Sequence, residues 1–312
     1  MKAFLETYGI AIFTLVIIAI LIAFAGPIGN VIKKNTNTQI QNVNEIASER
    51  IKNHDRAEEP KEATDYVYAY LDKNQELVIS SVDLQPNEDI LYDNESNFGK
   101  CILVNDGDHG QKWWSKKENI LTVRFEGSVK PTSCYEWFDS HKNLTKIKNI
   151  ENLYTDECIN MFAMFWRCYN LEELNTSNFN TSKVTNMQSM FASCSALTVL
   201  DIHTFDTSNV ITMAGMFYNC SSLTNLDVSN FDTSKVTMMN SMFSSCSSLT
   251  TIDLGNKFDT SKVTKKSSMF SDCSKLTTIK TSQAIADALN AQKSTNKLPA
   301  RVTFDTTKYH TA

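Results

Sequence analysis

The chain is poor in the residues that make linkers, metal sites and nucleic-acid faces. It has 9 glycines and 5 prolines in 312 residues, too few for long flexible linkers. No two cysteines have the CxxC spacing of zinc-ribbon and thioredoxin-type sites. The histidines, at His54, His109, His141, His203 and His310, are scattered with no metal-ligand spacing. Phosphate loops, GxSxG elbows and dinucleotide fingerprints are all missing. Asn105-Asp106-Gly107-Asp108-His109-Gly110 fails as a calcium loop, because its acids do not alternate and no glutamate follows at the required distance. No run of Lys or Arg interrupts a formal charge of −5. Nucleic acid is therefore not the expected partner, since phosphate binding needs a basic face. These gaps lead us to expect no cofactor, no metal and no enzymatic activity.

One long apolar run stands at the N-terminus. No residue from Thr7 to Ile32 is charged, with Glu6 before it and Lys33-Lys34 after it. As a helix the run would be ~39 Å long, enough for a ~30 Å hydrocarbon core. It predicts a transmembrane helix or signal anchor over residues 1–34. A cleaved signal peptide is the alternative, because Ala23-Phe24-Ala25 has the small-x-small pattern. Phe13-Thr14-Leu15-Val16 is also similar to the start of type IV pilin-like helices, although Ile17 stands where that family places glutamate. Charge alone does not fix orientation, since Lys33 and Lys34 outnumber Lys2. Residues 35–64 are polar and mixed in charge, and read as a stalk.

The remainder is dominated by a repeat. Met-Phe followed three residues later by Cys occurs at Met164-Phe165-Cys168, Met190-Phe191-Cys194, Met216-Phe217-Cys220, Met242-Phe243-Cys246 and Met269-Phe270-Cys273. The spacing is 26 residues, except for one extra residue within Leu254-Gly255-Asn256-Lys257-Phe258. Trp137-Phe138 with His141 is a degenerate first copy. Each unit has an alternating apolar stretch, such as Leu223, Leu226, Val228 and Phe231, followed by the polar turn Asp232-Thr233-Ser234-Lys235. Val236, Met239, Met242 and Phe243 then have helical spacing. The pattern predicts an α/β solenoid of leucine-rich-repeat-like strand–turn–short helix units over residues 130–280. Such units close their core only by stacking.

Stacking should place Phe179, Phe205, Phe231 and Phe258 in one ladder. It should place the five repeat cysteines in another, buried as free thiols. The state of Cys101, Cys134 and Cys158 is open. A small, mostly β cap is expected over 65–129, with strands at Tyr66–Leu71, Leu77–Ser81 and Ile120–Phe125. Trp113 and Trp114 would pack in this cap. A C-terminal cap over 281–312 should hold a helix at 283–292, with Ala284, Ile285, Ala288 and Leu289 on one side, and a strand at 301–304. Asp206, Asp232 and Asp259 form an acidic row beside Lys183, Lys235 and Lys262. That row reads either as turn capping with weak exposed pairs or as a polar binding stripe.

Asn225-Leu226-Asp227-Val228-Ser229-Asn230-Phe231-Asp232-Thr233-Ser234-Lys235-Val236-Thr237, with Met242-Phe243-Ser244-Ser245-Cys246-Ser247-Ser248-Leu249, resembles the BspA-like leucine-rich-repeat surface proteins. Their DUF285-type repeat was first grouped from mycoplasma lipoproteins. The likeness runs from about Thr122 to Lys280. Asn180, Asn209 and Lys265-Lys266 depart from it. The resemblance implies exposure at a bacterial cell surface and adhesion to an extracellular protein or glycan. Lipoprotein members attach through an N-terminal lipidated cysteine. With no cysteine before Cys101, the helix is expected to anchor this chain instead. The alternative is a structural, pilin-like component of a surface apparatus.

Overall fold

The computed structural model describes residues 66–72, 76–81, 90–91, 100–102 and 120–309. The expected membrane helix and stalk, Trp113, Trp114 and the Asn105–Gly110 segment lie outside the described residues. Among the described residues no helix is long and apolar enough to cross a membrane.

The 26-residue period becomes one turn of a parallel β-solenoid of about seven turns. A column of parallel bridges links Ser133, Asn160, Asn186, Thr212, Met238 and Lys265, one residue from each successive coil. Inside, Phe138, Phe165, Phe191, Phe217, Phe243 and Phe270 stack face to face, with neighbouring centroids 5.4–5.9 Å apart. A second column joins Phe179 to Phe205 at 6.4 Å, and Phe231 and Phe258 continue it as buried rings. Burying one such ring stabilises by about 1.5–3 kcal/mol, so repetition gives a narrow coil a continuous core.

The expected short helix in each unit does not form. Its segment is a chain of tight turns, here called the corner. In one coil Met164 and Trp166 donate N–H bonds three residues back, to Met161 and Ala163 at 3.3 and 3.0 Å. The intervening N–H groups of Ala163, Phe165 and Arg167 donate to Gln188, Met190 and Ala192 of the next coil at 2.8–2.9 Å. An α-helix would use those donors internally and leave no backbone bond between coils. The alternation needs two left-handed residues per corner, one before Met-Phe and one before Cys. Ser189 and Ser193, Gly215 and Asn219, Ser241 and Ser245, and Ser268 and Asp272 all have φ between 57° and 63°. Short polar residues and glycine tolerate that region best, which accounts for the repeated small residues at both positions.

The strand side is less regular. β1 (Tyr66–Asp72), β2 (Glu76–Ser80), β3 (Ile90–Leu91), β4 (Lys100–Ile102), β5 (Thr122–Glu126) and β6 (Lys146–Lys148) form one sheet. In it β1 pairs antiparallel with β2, β3 and β4, while β2 pairs in parallel with β5, the first strand of the solenoid. A second, all-parallel sheet holds β7 (Asn225–Asp227), β8 (Thr251–Gly255), β9 (Thr278–Thr281) and β10 (Thr303–Asp305). Between the sheets, the equivalent residues 173–175 and 199–201 are not strands. The extra residue falls at a bulge in β8, where Gly255 has φ 70° and a Cβ would sit 2.3 Å from the Ser229 carbonyl oxygen.

At the C-terminus, α1 (Gln283–Ala291) buries Ile285, Ala286 and Leu289. Ala284, expected on that face, is exposed instead. α2 (Lys293–Asn296) takes the place of the next corner: Ser268 and Phe270 donate to the carbonyls of Thr295 and Asn296 at 2.8 and 2.9 Å. Beyond β10, Lys308 Nζ and Tyr309 Oη close on the carboxylate of Asp253 at 2.9 and 2.7 Å.

Candidate functional site

The row of aspartates and lysines picked out in the sequence follows one edge of the stack. Asp206, Asp232 and Asp259 each accept the N–H of the serine two residues later, at 2.9, 3.0 and 2.7 Å. Each side chain thus shapes its own turn. The serine N–H and hydroxyl hold the Asp232 carboxyl below its ordinary range. Lys183 Nζ pairs with Glu157 at 2.6 Å, and Lys235 Nζ reaches Asn209 Oδ1 at 2.7 Å, in both cases one coil back. Lys262 is exposed and makes no ion pair among the described residues. The row therefore comes together as a repeating edge, with most of its polar atoms spent on turns and on neighbouring coils.

Two other ladders were not read from the sequence. A threonine at the position of Thr233 in the Asp-Thr-Ser-Lys turn is buried in five successive coils: Thr155, Thr181, Thr207, Thr233 and Thr260. Thr155, Thr181, Thr207 and Thr233 each donate to the carbonyl of Asn180, Asp206, Asp232 or Asp259 in the next coil, at 2.8–3.0 Å. Their unbroken repetition was the available signal. Asn178 and Asn230 hook the previous coil, each donating its amide to two carbonyls there.

The cysteine column is free and buried. Cys168, Cys194, Cys220, Cys246 and Cys273 donate their thiols to Phe138, Phe165, Phe191, Phe217 and Phe243, each at 3.1 Å. These residues therefore act as donors as well as small apolar groups. Burial pushes every one of these thiols up, Cys273 to about 12. Such thiols are poor nucleophiles at neutral pH. In the first coil the buried His141 takes the cysteine's place. Cys134 and Cys158 are likewise free, and burial raises the Cys134 thiol.

A groove of about 620 Å³ crosses the later coils on the corner side. Gln188, Ala214, Asn240 and Ser267 line it from one column, joined by Met238, Thr264, Lys265, Lys266 and Thr295. Lys266 occupies a column otherwise filled by Cys134, Met161, Met187, Met213 and Met239, all fully buried. It is half-buried, and its Nζ reaches the Thr260 carbonyl at 3.5 Å. Lys265 is exposed, with no ion pair among the described residues. Charge along the chain reverses at this point. Residues 150–255 carry three Lys or Arg against ten Asp or Glu, a net −7. Residues 256–312 carry ten against four, a net +6. Among the described residues no group of three His, Cys, Asp or Glu could hold a metal ion.

A family model described as "Mycoplasma protein of unknown function, DUF285" matches residues 132–226 and again residues 197–300. The two matches overlap and together cover more than half of the chain. No curated protein and no solved structure matches it.

Proposed function

The chain belongs to the family described as Mycoplasma protein of unknown function, DUF285, and from that premise we propose a binding role at a bacterial cell surface. In this reading it is a BspA-like, leucine-rich-repeat type of surface protein, whose solenoid makes contact with an extracellular protein or glycan without catalysing a reaction. The N-terminal apolar run anchors the chain in the membrane as a single pass, with the C-terminal region outside.

The observation that carries this reading is the unbroken stack. Every coil repeats its backbone bonds to the next, so outward-facing columns run the length of the body at strand spacing, roughly 4.8 Å per coil. A rigid face of that kind offers many weak, evenly spaced contacts, and repeat proteins use such faces for extended partners. The amides of Asn178 and Asn230, which tie their coils to the preceding ones, support the leucine-rich-repeat part of the reading.

Protease shaving of intact cells, followed by immunoblotting for the repeats with and without lysis, tests the reading. Loss of the repeats from intact cells is the expected result. Protection until lysis would overturn the surface role.

A further inference from the structure

We propose that the groove beside Lys265 and Lys266 binds an acidic glycan, a sugar chain carrying carboxylate or sulfate groups. The proposal rests on the binding role argued above and names the chemistry of one ligand for it.

Three observations converge on the groove. The first is a substitution against the grain of the fold. Five coils fill one interior column with a fully buried methionine or cysteine, and the sixth has Lys266 there. A lysine cannot bury its ammonium without a partner, so its stem lies along the column while its head stays near solvent. The stacked core gains nothing from that change; a ligand in the groove would.

The second is the charge pattern. The groove lies where the chain passes from a net −7 segment to a net +6 segment. Neither Lys265 nor Lys266 forms an ion pair among the described residues. On the aspartate row Lys183 reaches Glu157 and Lys235 reaches Asn209, whereas Lys262 makes no ion pair either among the described residues. Two adjacent cations with no anion of their own, set in a concavity, attract one from solution.

The third is the rest of the lining. Gln188 and Asn240 present amides, and Thr264 and Ser267 present hydroxyls. Amides and hydroxyls can donate to and accept from sugar hydroxyls. A protein partner would call for aromatic anchors at the centre of the contact. Among the described residues the exposed large apolar ones are Leu121, Tyr154, Ile159, Val199, Ile211 and Tyr218, and none of them lines the groove. The lining therefore favours a glycan over a protein.

The test titrates the full chain by calorimetry with oligogalacturonate, its fully methyl-esterified form and a sulfated oligosaccharide of similar length. The acidic sugars should bind, and the neutral ester should bind at least tenfold more weakly. Sulfated and carboxylated arms distinguish the two acids. Lys266→Met restores the residue type of the column, so it should fold at least as stably as the parent while losing affinity tenfold or more. Lys265→Met should weaken binding similarly, and the pair together should remove the salt dependence. Equal binding of the methyl ester, or undiminished binding by the well-folded Lys266→Met chain, would overturn the proposal. Failure of every sugar to bind would overturn it too. In that case capture of a protein ligand by the double variant as well as by the parent would leave the broader binding role standing.

Discussion

The two sides of each coil are held together differently. On the corner side every coil from Cys134 to Cys246 repeats the same alternation of local and inter-coil N–H bonds, and the last coil keeps two of its inter-coil bonds, from Ser268 and Phe270. On the strand side pairing is complete from β2 to β6 and again from β7 to β10, but lapses across residues 173–175 and 199–201. In the lapsed coils Glu172 and Glu173 point outward and Val199 is 72 % exposed, while Lys146 reaches across to Glu173 at 2.6 Å. The corner survives where the sheet does not because its phenylalanine column is unbroken from Phe138 to Phe270. Met, Phe and Cys repeat in coil after coil, and each ring is packed by the ring above and below. The corner sets the stacking, with the sheet as a local addition where the outward residues permit it.

If that is right, the largest loss should come from the corner's centre. Phe217→Ala removes a ring stacked on both sides and should cost about 4 kcal/mol in urea unfolding. A cost no greater than that of an exposed residue would place the stacking energy elsewhere. Gly255→Ala attacks the strand side at its tightest point, where a left-handed residue meets the Ser229 backbone. Strain and overpacking together should cost about 3 kcal/mol, visible as a lowered Tm.

Smaller effects should follow from the corner's backbone. Ser245→Val puts a branched side chain at φ 63° and should destabilise by about 1–2 kcal/mol. Ser245→Gly should slightly stabilise.

The thiol column gives the corner a pH signature. In the unfolded chain these thiols ionise near 9, whereas in the folded chain they stay protonated well beyond that, Cys273 to about 12. The folded state then holds more protons than the unfolded state, so stability is fully present below pH 9 and falls as pH rises from 9 towards 12. Each thiol contributes about 1.4 kcal/mol per pH unit to that slope. Replacing Cys220 by alanine should lower stability at pH 7 but flatten its decline between pH 9 and 11. An unchanged slope would show that other groups govern alkaline unfolding. The smallest effect belongs to the lapsed strand: Val199→Thr should change stability by less than about 0.5 kcal/mol.

Much of this was legible in the residues. The period, the ladder of Phe179, Phe205, Phe231 and Phe258, and the buried cysteine ladder follow from self-comparison, because a column repeated at one spacing has to face its own copy. The segments expected as strands at 66–71, 77–81 and 120–125 coincide closely with β1, β2 and β5. The corner was misread. Val236, Met239, Met242 and Phe243 have helical spacing, yet the same set of buried residues is produced by turns whose alternate N–H groups go to the next coil. Hydrophobic periodicity records which side chains are buried and says nothing of where backbone donors find acceptors. The positive φ values of Ser241 and Ser245 carried that information, hidden in serines that read as ordinary loop residues.

The same limit applies to the groove. Lys265 and Lys266 stood out as departures from the repeat, but only the stacked coils bring them beside Gln188 and Asn240, more than 20 residues away along the chain. By itself the sequence determined the repeat, its core and its family, since each depends on residues compared at a fixed spacing. The tertiary structure alone decided that the corner is turns rather than helix, which coils keep their strands, and which polar groups share a surface. Those outcomes depend on backbone hydrogen bonds and contacts between coils, and such pairings exist only once the stack has closed.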